Sequence, residues 1–128
     1  MAPGQKGVFE ENLLEIDVKE RRLLTELAYL ACLMNDVARA RGILDGLAAL
    51  KPDTVETVIG YALADMTARD FDASIRRLRP PAEAGDPQAA VLLGLALKLA
   101  GRMSECEAVL AKVSAGDPAV DALASALR

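Results

Sequence analysis

Two stretches of this chain follow one plan. Asn35-Asp36-Val37-Ala38-Arg39-Ala40 and Gly101-Arg102-Met103-Ser104-Glu105-Cys106 each open on a turn residue, continue as helix formers and reach a proline at the same distance, Pro52 and Pro118. Self-similarity at a period of about 34 residues, made of helix, turn and helix, leads to stacked helix pairs, because one such pair cannot bury its own apolar face. Stacks of this kind present an extended surface, so a binding role is expected in place of a catalytic pocket.

Composition agrees with an all-α fold. Of 128 residues, 52% are hydrophobic and only 3% aromatic, with no tryptophan and with alanine and leucine prominent. These are strong helix formers, and the length suffices for one self-standing domain. A formal net charge of −4 argues against the basic footprint of a nucleic-acid binder. Arg76, Arg77 and Arg79 are the local exception and read as the solvated face and last turn of a helix. Cys32 and Cys106 have no CxxC spacing and lie in apolar helical surroundings, so both are expected as reduced, buried small residues. Histidine is absent, which removes the commonest general base and metal ligand. Paired acids exist, Glu10 with Glu11 and Asp65 with Asp70, and read as solvation of exposed helix faces. No Gly-rich phosphate loop occurs, so no catalytic, cofactor or metal site is expected. The longest apolar run, Ala89 to Leu97, is too short to span a bilayer, and Met1 to Gly7 has no signal-peptide core behind it. A cytoplasmic protein that does not insert into membranes is the expectation.

Punctuation divides the chain. Residues 1–7 read as a disordered leader, and residues 8–128 as a single domain. Phe9, Leu13 and Ile16 make one helical stripe in an N-terminal segment over 8–18. Helix signals run from Lys19 to Met34 and, after Asn35-Asp36, from Val37 to Leu50. Thr54 is an N-cap candidate for a helix to Ala68; the next begins at Asp70 and is expected to stop by Arg79, since Pro80-Pro81 lack the donors to continue it. Pro87 suits the first turn of a helix to Ala100, Met103 to Ser114 is its partner, and a capping helix follows over 118–127.

These residues resemble the tetratricopeptide repeat (TPR). Taking Arg21 as position 1 puts Leu24, Leu27, Ala28 and Ala31 on the packing positions of the first helix, Asn35 on the turn, and Ala40, Leu44, Leu47 and Pro52 on those of the second. A register from Val55 places Val58, Tyr61, Ala62, Ser74 and Leu78 likewise, with the second helix cut short. One from Pro87 places Ala90, Leu93, Gly94, Leu97, Gly101, Cys106, Leu110, Val113 and Pro118. The resemblance implies three repeats, about 21–54, 55–86 and 87–120, in a right-handed superhelical stack. Ala28, Ala62 and Gly94 are expected where paired helices approach closest.

In that family the concave face is lined by the first helix of each pair. The corresponding positions here are mostly apolar, and Tyr29, Leu33, Ile59, Leu63, Met66, Val91, Leu95 and Leu99 form the expected partner-binding groove. The lysine and asparagine residues with which chaperone-docking members grip a C-terminal carboxylate are missing: Thr25, Tyr29 and Gly60 stand in such places. An apolar groove suits an amphipathic helix laid lengthwise, with Met66 adapting to its shape. In size, repeat number and groove character, including Leu44 to Pro52 and Ala89 to Gly101, the chain resembles the chaperones of bacterial type III secretion systems. That resemblance implies a needle or other secreted subunit held in the cytoplasm by its self-assembly helix, with a small helical co-chaperone. The alternatives are a general repeat scaffold and a chain that supplies its own helix, with Phe9, Leu13 and Ile16 folding back into the groove, packing at the first repeat as a cap or building a homodimer.

Overall fold

The computed structural model describes residues 3–51, 54–113 and 118–127, with residues 3–17 and 119 described by backbone alone. The described residues are all-α: α1 Pro3–Leu33, α2 Val37–Leu50, α3 Val55–Thr67, α4 Phe71–Glu83, α5 Pro87–Leu99, α6 Met103–Ala111 and α7 Pro118–Leu127. Each helix packs on the next from α1 to α6, α1 also touches α3, α3 touches α5, and α7 lies on α5.

Four of the turns are the same device. Asn35, Arg69, Gly85 and Gly101 have φ of 61, 64, 101 and 80°, the left-handed conformation that ends a helix. The amide of the residue that follows each returns to a carbonyl of the helix just ended: Asp36 to Ala31 at 2.8 Å, Asp70 to Asp65 at 2.8 Å, Asp86 to Pro81 at 3.0 Å and Arg102 to Leu97 at 2.8 Å. That residue then starts the next helix. The carboxylates of Asp36, Asp70 and Asp86 accept from the amides of Arg39, Ala73 and Ala89 at 3.2, 3.2 and 2.8 Å. Arg102 caps with no side-chain bond and pairs with Glu105. Thr54 caps α3 by accepting from the Thr57 amide at 3.3 Å, as its sequence position predicts. Arg69 is the costly member of the set, since a side chain at positive φ loses about 1–2 kcal/mol that glycine does not.

The periodicity reappears as burial. Ala28, Ala62 and Gly94 are buried in α1, α3 and α5; Ala40, Ser74 and Cys106 in α2, α4 and α6; and Leu44, Leu78 and Leu110 one turn further on. At Gly94 a Cβ would lie 3.0 Å from Cδ2 of Leu110 and 3.9 Å from Sγ of Cys106, so the glycine lets α5 and α6 close together. Ser74 is the odd member of its set, because its hydroxyl is fully buried and has no hydrogen-bond partner. Ser74→Ala keeps the volume of Ala40 and removes that orphan. It is expected to raise unfolding free energy by about 1 kcal/mol in urea titrations, and a loss would show that the hydroxyl is satisfied.

Three expectations are corrected. The first turns on Pro80 and Pro81, which do not stop α4 at Arg79 but lie within its last turn. They cannot donate, but their carbonyls still accept, from Ala84 and Asp86 at 3.0 Å each, and Gly85 supplies the real stop. Second, the leader and the N-terminal stripe are not separate from the first repeat: α1 is continuous from Pro3, because nothing between Val8 and Met34 breaks a helix and Gly7 only weakens one. Third, α6 ends at Ala111, short of Ser114, with its cap at Lys112.

Candidate functional site

Two groups of residues stand out once the helices are placed, one that locks the stack and one that it displays. The lock centres on Asp65, whose side chain is only 4% exposed. Arg77 of α4 reaches its Oδ2 through Nε at 2.7 Å, and Arg41 of α2 reaches its Oδ1 through Nη2 at 3.1 Å. The Arg77 guanidinium also stacks over the Tyr61 ring, 4.8 Å from its centroid. The Tyr61 hydroxyl donates to Asp45 at 2.5 Å. Burial, followed by the hydrogen bond to Asp45, pushes the Tyr61 phenol up to about 12, so it stays a donor at neutral pH. Five side chains from α2, α3 and α4 are thus joined. Asp65 and Asp70 are therefore not a solvated acid pair: Asp65 is a buried ion-pair acceptor, and Asp70 is a helix cap. Nor is Arg77 only part of a solvated face. The missed signal was the spacing of Tyr61 and Asp65, one helical turn apart, between helices that carry Arg41 one turn before the core residue Leu44 and Arg77 next to the core residue Leu78.

The display lies on α1, α3 and α5. Of the eight residues expected to line a groove there, the structure places Ile59 and Val91 in the core, at 5% and 2% exposure. Tyr29, Leu63 and Met66 are half-buried with their inner sides against that core, and Leu95 is half-buried. Leu33 and Leu99 are open, at 84% and 50%. Of the expected groove residues, Leu33, Leu63, Met66, Leu95 and Leu99 thus stay open or half-open on α1, α3 and α5. Toward the opposite end of the same helices an open cleft of about 510 Å³ mixes charged and polar groups, among them Arg21, Arg22, Glu26, Lys51, Glu56 and Gln88, with apolar lining from Val18 and Leu47 and with Tyr29. Only Tyr29 of the expected groove residues belongs to it.

Tyr29 joins the two ends. Its hydroxyl donates to the Glu56 carbonyl at 3.0 Å, tying α1 to the first turn of α3. Burial first, then the neighbouring Glu56 and Cys32, push its phenol up to about 12. Cys32 is half-buried, and Cys106 is buried at 1%. Burial raises the Cys32 thiol against the opposing pull of Thr67 and Arg41 and keeps it protonated and a weak nucleophile. Among the described residues no group of three or more His, Cys, Asp or Glu stands together to hold a metal ion, and no helix is long and apolar enough to cross a membrane.

The fold is an all-α, repeat-like series of packed helices with apolar side chains left open or half-open on α1, α3 and α5. No protein-family model matches the chain, and no curated protein or solved structure matches it either.

Proposed function

We propose that this chain is a TPR-type protein-binding module whose α1–α3–α5 face takes one amphipathic helix of a partner protein. The observation that carries this reading is the set of Leu33, Leu63, Met66, Leu95 and Leu99, apolar side chains left open or half-open on α1, α3 and α5. The recurrence of burial at Ala28, Ala62 and Gly94 and at Leu44, Leu78 and Leu110 supports the repeat, and with it a right-handed superhelical stack with that open set in a row on its concave side. In its specific form the module is a cytoplasmic chaperone of a bacterial type III secretion system, holding an aggregation-prone helix of a secreted or needle subunit. Sequestered apolar surface cannot nucleate a filament, so binding alone performs the task. A general scaffold would share the face without the secreted client.

The test is co-purification of the tagged chain from the cytosol of its source cells, with mass spectrometry of what it holds. A secreted helical subunit at one-to-one is expected. Leu33→Glu and Leu99→Glu, each at an exposed site, should reduce capture by about 100-fold while shifting unfolding by less than about 0.5 kcal/mol. Leu63→Glu is a poorer probe, because Leu63 packs against the core and a carboxylate there costs stability as well as binding. Unchanged capture by both exposed variants would move binding to another face.

A further inference from the structure

The open end of the stack carries a second apolar surface. In α3 Tyr61 and Ala64 pack in the core shared with α1 and α2, with Thr57 and Ala68 at the neighbouring positions of the same stripe, and in α5 the matching positions are Ala89, Leu93, Ala96 and, just past its end, Ala100, which pack in the core shared with α3 and α4. Thr57, Ala64, Ala89, Leu93 and Ala96 are buried, at 5% exposure or less. The same positions in the register of α1 are Leu23, Leu27, Leu30 and Met34, with no hairpin before them among the described residues, and they are exposed by 56, 42, 49 and 72%. The terminal face of a repeat array is expected to be polar for solubility. Here it holds leucine or methionine at all four positions, where the inner helices have mostly alanine.

That face continues along the sequence. Phe9, Leu13, Ile16, Glu20, Leu23, Leu27, Leu30 and Met34 alternate steps of four and three without a break, which is the heptad repeat of a coiled-coil seam with one polar interruption. The helix is long enough to use it: α1 has 31 residues against 14 in α2, so it overshoots its own hairpin by roughly 25 Å.

We infer that α1 pairs antiparallel with α1 of a second copy of this chain, the overshoot of each copy covering the open end of the other. Antiparallel pairing sets Phe9 opposite Met34, Leu13 opposite Leu30, Ile16 opposite Leu27 and Glu20 opposite Leu23 of the second copy, so three of the four kinds of pair are apolar on both sides and the two Glu20 carboxylates are kept apart. It also brings Lys19 beside Glu26 of the second copy, twice by symmetry. Parallel pairing would instead oppose Glu20 to Glu20 in the seam. Sixteen seam residues along about 40 Å bury on the order of 1,500 Å², the size of a stable specific interface. This pairing uses Leu23, Leu27, Leu30 and Met34, none of which belongs to the proposed row, and stands independently of the reading above.

Light scattering and sedimentation equilibrium of the full chain, up to about 100 μM, test it. A mass of twice 13.5 kDa is expected. Leu27→Glu with Leu30→Glu should weaken dimerisation at least about 100-fold while helicity by circular dichroism persists, and Leu99→Glu should leave the mass unchanged. Lys19→Glu and Glu26→Lys should each weaken the dimer, and the two together should restore it. A monomeric wild type, including one whose α1 face takes a different protein, would overturn the pairing, as would a dimer indifferent to the Leu27 and Leu30 changes. Failure of the charge swap to restore association would overturn the antiparallel register.

Discussion

Replacing Arg41 and Arg77 together by methionine is expected to cost about 3–5 kcal/mol of unfolding free energy, the largest loss from any surface-reaching pair in this chain. Both guanidinium groups are themselves close to half exposed, at 44% and 45%, so their own desolvation is modest. The Asp65 carboxylate between them is not: at 4% exposure it has little access to water, and without the arginines its charge is left uncompensated among α2, α3 and α4. Adding Asp65→Leu to the double variant should recover most of the loss, because an apolar replacement of a whole buried ionic group is close to neutral. Urea unfolding followed by circular dichroism measures both. A loss below about 1 kcal/mol in the double variant would mean that the carboxylate is solvated and the pairs are ordinary surface pairs.

The second large effect is expected at the contact between the first two hairpins. Leu44 is fully buried among Ala28, Ala40, Leu47 and Ala64, and a Cβ added at Gly60 would fall 2.4 Å from its Cδ2. Leu44→Ala should cost about 2–5 kcal/mol through lost burial and the cavity left behind. Gly60→Ala alone drives a methyl into that leucine and should destabilise by about 1–3 kcal/mol, overcoming the better helix propensity of alanine. On the Leu44→Ala background the same change has room, gains the propensity term and should stabilise. The double-mutant cycle therefore predicts a coupling of at least about 1 kcal/mol, with a change of sign at Gly60. Additive losses would show that α2 and α3 do not meet through this leucine.

Much of the fold was legible because it is written in local terms. Asn35-Asp36, Gly85-Asp86 and Gly101 announce turns by residue type, Thr54 and Pro87 announce helix starts, and the small, buried positions at Ala28, Ala62 and Gly94 fall out of the period. The parts that were not legible depend on distance or on compensation. Pro80-Pro81 reads as a stop because a proline's missing donor is visible in the sequence, whereas the Gly85 turn that lets their carbonyls finish the helix acts several residues later. The Asp65 network joins residues from three helices, and each of its members alone looks like solvation. In the groove, helical spacing placed all eight residues on one flank of α1, α3 and α5 but could not tell the side of that flank that turns inward. Ile59 and Val91 went to the core for that reason, while Leu33 and Leu99 stayed open.

The central claim is that a partner helix lies along the α1–α3–α5 row, and amide chemical-shift mapping tests it most directly. The helical segment of a co-purified client would be titrated as a peptide into the labelled chain. The account predicts shifts concentrated at Leu33, Leu63, Met66, Leu95 and Leu99, with Leu23, Leu27 and Leu30 unmoved. Shifts confined to those three α1 leucines or to α2, α4 and α6 would contradict it.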